Sequence, residues 1–253
     1  LSTKSKASFL FIKLFPNVIT LLALAVGLSS IRFAIEGKWE LAVTAIIVAA
    51  ILDGFDGRIA RMLNATSTFG AELDSLADFV NFGVAPAIVI YLWSLHTFKY
   101  KLLSWGAVLL YNSCMAIRLA RFNTAMINEI LPKHFFVGVP APIGALLVLA
   151  PIMLEFDIAQ EYGISAKEYL LSTIIYVAVI GFLLASRIPT ISLKYISIRP
   201  EYVWISLLIS SISIILAIIY PWYAIPYAAV LYLATIPLCA YIYRTGLDKS
   251  SND

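Results

Sequence analysis

Charge is scarce in this chain. Asp, Glu, Lys and Arg supply 13% of its 253 residues and apolar side chains supply 61%, against about 25% and roughly 45–50% in an average soluble protein. A water-soluble globule so composed lacks the polar atoms to coat itself, and disorder needs the opposite balance. Cysteine is also rare. Cys114 and Cys239 each sit inside an apolar run, where a thiol is a small packed hydrophobe, so a disulfide scaffold is excluded. No internal repeat, low-complexity tract or linker rich in Pro, Gly or Ser divides the chain. The net charge of +3 is too small to argue for a nucleic-acid partner.

What the chain has instead is long apolar runs. About 20 such residues cross a bilayer as a helix, and runs of this kind recur at Pro16–Ile35, Leu41–Leu63, Phe69–Leu95, Leu102–Arg121, Phe135–Phe156, Tyr169–Ile188, Tyr202–Tyr220 and Trp222–Tyr243. The expectation is all-α: a polytopic membrane helical bundle of about eight transmembrane helices with short loops. Residues 1–15 mix Lys4, Lys6 and Lys13 with Phe9, Leu10, Phe11 and Ile12, a pattern suited to a short amphipathic helix at the membrane surface. Residues 16–243 then form one transmembrane domain and 244–253 a tail. The first run is span-length and no A-x-A-like site follows it, so no removable signal peptide is expected. Tyr220-Pro221-Trp222-Tyr223 reads as an interfacial turn.

Orientation follows from the basic residues of alternate loops. With the N-terminus in the cytoplasm, that side carries Lys4, Lys6, Lys13, Arg58, Arg61, Arg118, Arg121, Lys133, Arg187, Lys194, Arg199, Arg244 and Lys249. The far side carries only Arg32, Lys38, Lys99, Lys101 and Lys167. Both termini are therefore expected in the cytoplasm. His96 and His134 fall near loops on opposite sides and cannot share a site.

The second run is apolar only as far as Leu52, after which it reads Asp53-Gly54-Phe55-Asp56-Gly57-Arg58-Ile59-Ala60-Arg61. The third opens Gly70-Ala71-Glu72-Leu73-Asp74-Ser75-Leu76-Ala77-Asp78. An acidic residue at membrane depth costs about 2.5–3.5 kcal/mol, so these aspartates must face something other than lipid. Residues three and four apart share a helix face, which gives one stripe of Asp53, Asp56, Gly57, Ala60 and Arg61 and a second of Gly70, Asp74 and Asp78. The short connection makes an antiparallel hairpin on which the four carboxylates converge. Hard oxygen ligands without His or Cys favour Mg²⁺, Mn²⁺ or Ca²⁺ over zinc or copper. The alternative is that the acids pair with Arg58, Arg61, Arg118 and Arg121 and merely orient the bundle. Small residues on the same faces serve helix packing or leave room for a flat group such as a nucleotide.

These residues resemble the CDP-alcohol phosphotransferases, whose signature D-x2-D-G-x2-A-R-x8-G-x3-D-x3-D is met by Asp53, Asp56, Gly57, Ala60, Arg61, Gly70, Asp74 and Asp78. Three further stretches look like the phosphatidylserine synthase branch of that family: Asp74 through Pro86, Arg118-Leu119-Ala120-Arg121-Phe122-Asn123, and Phe136 through Pro142. The resemblance implies a cytoplasm-facing cavity open sideways to lipid, in which CDP-diacylglycerol is attacked by L-serine with release of CMP. It also implies one or two divalent ions, Mg²⁺ or Mn²⁺ with Ca²⁺ admissible, held by Asp53, Asp56, Asp74 and Asp78. Asp78 is in addition the implied general base, and small positions such as Gly57 and Gly70 admit the cytidine. Ala60 and Arg61 of the signature belong to the same liponucleotide wall.

Asn17 and Thr20, at the start of the first span, either face the nucleotide or serve capping and interhelical bonding. Arg118 and Arg121, three apart, form a fork suited to a carboxylate or phosphate, or else snorkel to the interface. Asn81 and Asn123 add polar contacts for serine. Glycerol-3-phosphate would want the same cations, which leaves a phosphatidylglycerophosphate synthase as the nearest enzymatic alternative. A cation transporter is the alternative of another class, and it would spread acids over several spans. A homodimer in a prokaryotic inner membrane, with the active site on the cytoplasmic side, completes what the resemblance implies.

Overall fold

The computed structural model describes residues 3–63, 65–127, 135–162, 169–191 and 200–250. Lys133, His134, Lys167, Lys194 and Arg199 lie outside the described residues, as do the side chains of Lys4, Lys6, Lys13, Cys239, Arg244 and Lys249.

α1 (Thr3–Ile35) continues unbroken through Pro16, so the backbone does not divide where the surface segment was expected to end. It stops at Gly37, whose φ of +73° suits the left-handed end of a helix, with Gly37 N–H on Ala34 O and Lys38 N–H on Phe33 O. Beside this turn Glu36 accepts from Arg32 Nε at 2.9 Å and from Lys38 Nζ at 2.8 Å. α2 (Trp39–Met62) returns antiparallel along α1. Ser67 then caps α3 (Thr68–Asp78), its hydroxyl accepting the Gly70 N–H at 3.0 Å.

The third run is helical from end to end but not uniformly so. Phe79–Val84 is a π-turn, after which α4 (Ala85–Trp93) resumes the α register and a 3₁₀ turn follows at Leu95–Thr97. α5 (Lys101–Ile127) packs along α7 (Leu170–Ala185). The fifth run starts later than expected. Phe135–Val137 is a strand, β1, paired antiparallel with β2 (Pro189–Ile191) in the register Phe135↔Ile191, Phe136↔Thr190 and Val137↔Pro189. Gly138 follows at φ +79°, where a Cβ would lie 2.9 Å from Ser186 O. Only at Ala141 does α6 (Ala141–Tyr162) begin, with Pro142 at a helix start that needs no N–H. α8 (Val203–Ile219) breaks at Tyr220, and Pro221 opens α9 (Pro221–Ser250).

Phe82, Ile46, Ile90, Tyr111, Leu147 and Ile180 are among the wholly buried side chains of the core. α8, by contrast, buries none of its side chains, and its apolar surface is one that lipid chains rather than water would satisfy. Among the described residues Leu14–Ile35, Thr68–Trp93 and Lys101–Thr124 are long and apolar enough to cross a membrane. Ala141–Phe156, Leu170–Ala185 and Val203–Ile219 are shorter apolar helices. The chain is a membrane helical protein.

Candidate active site

The α1–α2–α3 arrangement brings the two acidic stripes together. Asp53, Asp56 and Asp74 each offer one carboxylate oxygen, and the three oxygens lie within 4.8 Å of one another. At that separation two unit charges repel by about 3–4 kcal/mol if the effective dielectric is ~20, so the trio needs positive charge. Arginine does not supply it by direct pairing: among the described residues the ion pairs are those of Glu36 with Arg32 and Lys38. Three oxygen donors, with neither imidazole nor thiolate among them, fit a hard divalent cation.

Asp56 is the most buried of the trio and is fixed from the neighbouring helix. Thr20 of α1 donates its hydroxyl to Asp56 Oδ2 at 2.6 Å, with the Pro16 carbonyl at 3.2 Å as its other acceptor. Thr20 thus makes an interhelical bond. Asp78 adds a fourth carboxylate next to the trio. Its carboxyl lies within hydrogen-bonding reach of Asp53, while its Oδ1 is fully buried and has no hydrogen-bond partner.

Beside the trio opens a cavity of about 210 Å³. Asn17 and Thr20 of α1, Gly57, Ala60 and Arg61 of α2, and Gly70 of α3 line it, with Asp56 and Asp74 at its wall. All six residues expected to hold a liponucleotide therefore face one space. A Cβ on Gly57 would meet nothing nearer than Arg61 Nη1 at 3.8 Å, whereas one on Gly70 would press on Asn17 Oδ1 at 3.0 Å and Ser67 Oγ at 3.1 Å. Thr66 and Ser67 also line the cavity and did not stand out in the sequence. The signal for Ser67 was its place three residues before Gly70, at an N-cap.

The four residues expected to hold serine lie on α5 and in the π-turn. Arg118 is half-buried on α5, donates Nε to Val139 O at 2.6 Å, and is near enough to Asp78 to feel its charge. Arg121, one turn on, donates Nη1 to Ala185 O at 2.8 Å and so ties α5 to the end of α7. Asn123 exchanges hydrogen bonds with Ser75, joining α5 to α3. Asn81 is wholly buried in the π-turn, and neither its Oδ1 nor its Nδ2 has a hydrogen-bond partner. Gly27 of α1 lies against Asn81, and a Cβ there would overlap its Oδ1.

The fold and this acid-lined cavity define a class, and sequence comparison agrees with it. The chain belongs to the CDP-alcohol phosphatidyltransferase family, whose model matches residues 13–241. It is 39% identical over 236 residues to a CDP-diacylglycerol--serine O-phosphatidyltransferase of Mycobacterium leprae (strain TN), covering 92% of this chain and 76% of that one. Proteins of the same description from Mycobacterium tuberculosis (strain ATCC 25618 / H37Rv) and Helicobacter pylori (strain ATCC 700392 / 26695) are 37% and 34% identical. The first similarity covers 92% of this chain and 80% of the relative, the second 69% and 70%.

Proposed function

We propose that this protein transfers the phosphatidyl group of CDP-diacylglycerol to the hydroxyl of L-serine, giving phosphatidylserine and CMP. The observation that carries the reading is the trio of carboxylate oxygens within 4.8 Å of one another, two of whose residues, Asp56 and Asp74, line the cavity shared by α1, α2 and α3. Asp53, Asp56 and Asp74 would hold one or two divalent ions, Mg²⁺ or Mn²⁺, with Asp78 as a further ligand. When held there, such an ion would offset the charge of the pyrophosphate and of the departing CMP. Gly57 leaves open space for a flat base, Gly70 thins the facing wall, and Asn17, Ala60 and Arg61 complete the liponucleotide pocket. Thr20 keeps Asp56 turned toward it.

The serine oxygen attacks the phosphorus that carries the diacylglycerol, the bond from that phosphorus to CMP breaks, and the hydroxyl proton passes to Asp78. Its unpartnered, buried oxygen beside Asp53 is a suitable acceptor. Arg118 supplies the cation for the serine carboxylate, with Asn81 offering both a donor and an acceptor. Arg121 and Asn123 keep α5 in place around them. In the bilayer we assign eight spans, an N-terminal surface segment over residues 1–15, and a cytoplasmic active site. The inner membrane of a prokaryote and a homodimeric state complete the proposal.

Labelled serine, glycerol-3-phosphate and inositol, each offered with CDP-diacylglycerol and Mg²⁺ or Mn²⁺, test the choice of alcohol. Label is expected in lipid from serine alone, and label from glycerol-3-phosphate alone would replace the assignment. Asp78→Asn, inserted and folded as the parent is, should release no CMP. Retained turnover would remove the base from the scheme.

A further inference from the structure

The third span changes helical register directly after Asp78, and the change is held from outside the helix. In the π-turn the Ala85 N–H bonds to Val80 O, five residues back. Pro86 follows, and having no N–H it brings no helical donor to the Phe82 carbonyl four residues before it. Tyr111 of α5, wholly buried, donates its hydroxyl to that carbonyl at 2.7 Å. The backbone of Tyr111 is itself closely seated. A Cβ on Gly181 of α7 would lie 3.2 Å from Tyr111 Cα, and one on Gly83 of the π-turn 3.2 Å from Met115 Cγ. α7, α5 and the π-turn therefore stack in close succession at this level.

The same device occurs away from the carboxylates. Pro151 lies inside α6, and Tyr176 of α7 donates its hydroxyl at 2.7 Å to Leu147 O, again four residues before the proline. α6 carries none of the candidate site residues. The two tyrosines are thus matched in chemistry and distance, and only one of them holds the segment that bears Asp78 and Asn81.

We propose that Tyr111 is a positioning residue for the reaction: by holding the Phe82 carbonyl it keeps the third span in the π register that orients α3, and with it Asp74 and Asp78, toward α2. One residue of register corresponds to about 100° of rotation in an α-helix. Collapse of the π-turn would swing both carboxylates relative to the core that anchors α4. The inference rests on the phosphatidyl-transfer reading for its turnover readout but not for its metal-binding one.

The test uses the purified full-length protein and three variants, Tyr111→Phe, Tyr176→Phe and the double variant Pro86→Ala/Tyr111→Phe. Tyr111→Phe and Tyr176→Phe should lower the melting temperature similarly. Tyr111→Phe alone should lower kcat for CMP release by roughly tenfold or more, since small misplacements of reacting groups are that costly, and should weaken Mn²⁺ binding. KM for the liponucleotide should rise as well, because Gly70 and Asp74 of the displaced α3 line the cavity. The double variant should recover melting temperature, the helix having regained an N–H, without recovering kcat. Wild-type kcat and Mn²⁺ affinity in Tyr111→Phe, equal losses in Tyr176→Phe, or recovery of kcat together with stability in the double variant would each reduce the bond to a structural one. Absence of CMP release by the wild type with every alcohol would overturn the phosphatidyl-transfer reading, while the Mn²⁺ comparison would still decide the role of Tyr111.

Discussion

A carboxylate that must bind an ion has to be held as well as charged, and Asp56 illustrates how. It is 4% exposed, and one of its oxygens takes the Thr20 hydroxyl at 2.6 Å. A hydrogen bond to a charged acceptor contributes about 1.5–3 kcal/mol, which corresponds to roughly one to two powers of ten in binding if it fixes the ligand. Thr20→Val, which keeps the branched shape and removes the donor, should therefore weaken Mn²⁺ binding about tenfold or more, measured by titration calorimetry, and should also lower the melting temperature, because the bond joins α1 to α2. Gly57 makes the complementary case, because the space beside it is empty of protein up to Arg61 Nη1. Gly57→Leu should raise KM for CDP-diacylglycerol and leave Mn²⁺ affinity near that of the parent. A loss of metal binding in that variant would mean the side chain turns toward the acids instead. The aspartates were legible in the sequence because charge at membrane depth has to be explained and helical spacing gives them a common face. Arg121 was not legible in the same way. An arginine near a span end reads alike whether it grips a substrate or a backbone carbonyl, and only the fold shows that Ala185 O receives it.

Elements transmit these placements, and the short ones matter most. α3 begins at Ser67, whose oxygen receives the Gly70 N–H and which also forms part of the cavity wall. Loss of an N-cap hydroxyl costs about 1 kcal/mol. Ser67→Ala should lower stability by about that amount and also loosen Gly70 against Asn17, visible as a raised KM for the liponucleotide. A stability loss with no change in KM would confine Ser67 to capping. That the acids of α2 and α3 meet followed from helical spacing and a short connection, and the helix break at Pro221 from the proline itself. The π-turn did not follow. Pro86 announces an interrupted ladder, but whether a helix kinks, ends or widens depends on which group reaches the freed carbonyl, and here that group is Tyr111 on another helix. The ribbon of β1 and β2 escaped for a related reason: Phe135–Val137 is apolar enough to read as helix, and its pairing with Pro189–Ile191 is a contact between distant segments.

At the scale of the molecule, the acids, the cavity and the start of α3 lie at one end of the α1–α2 hairpin, and Glu36 with its two cations lies at the other. A liponucleotide carries two charged phosphates, so its headgroup must enter from water while its acyl chains remain in lipid. The exposed apolar side chains along α1 and α2, such as Leu22, Leu28 and Ile51, offer such a lipid boundary next to the polar end. On the proposed topology that polar end faces the cytoplasm, the side to which the positive-inside bias would draw Arg58 and Arg61 beside it. Single cysteines in a background lacking Cys114 and Cys239 test the assignment: Lys38→Cys at the Glu36 turn and Met62→Cys, 81% exposed at the end of α2. In intact cells a membrane-impermeant maleimide should label Lys38→Cys directly, and Met62→Cys only after permeabilisation. The reverse pattern would put the carboxylates on the outer face, out of reach of a nucleotide-linked lipid supplied from the cytoplasm, and phosphatidyl transfer there would have to be abandoned.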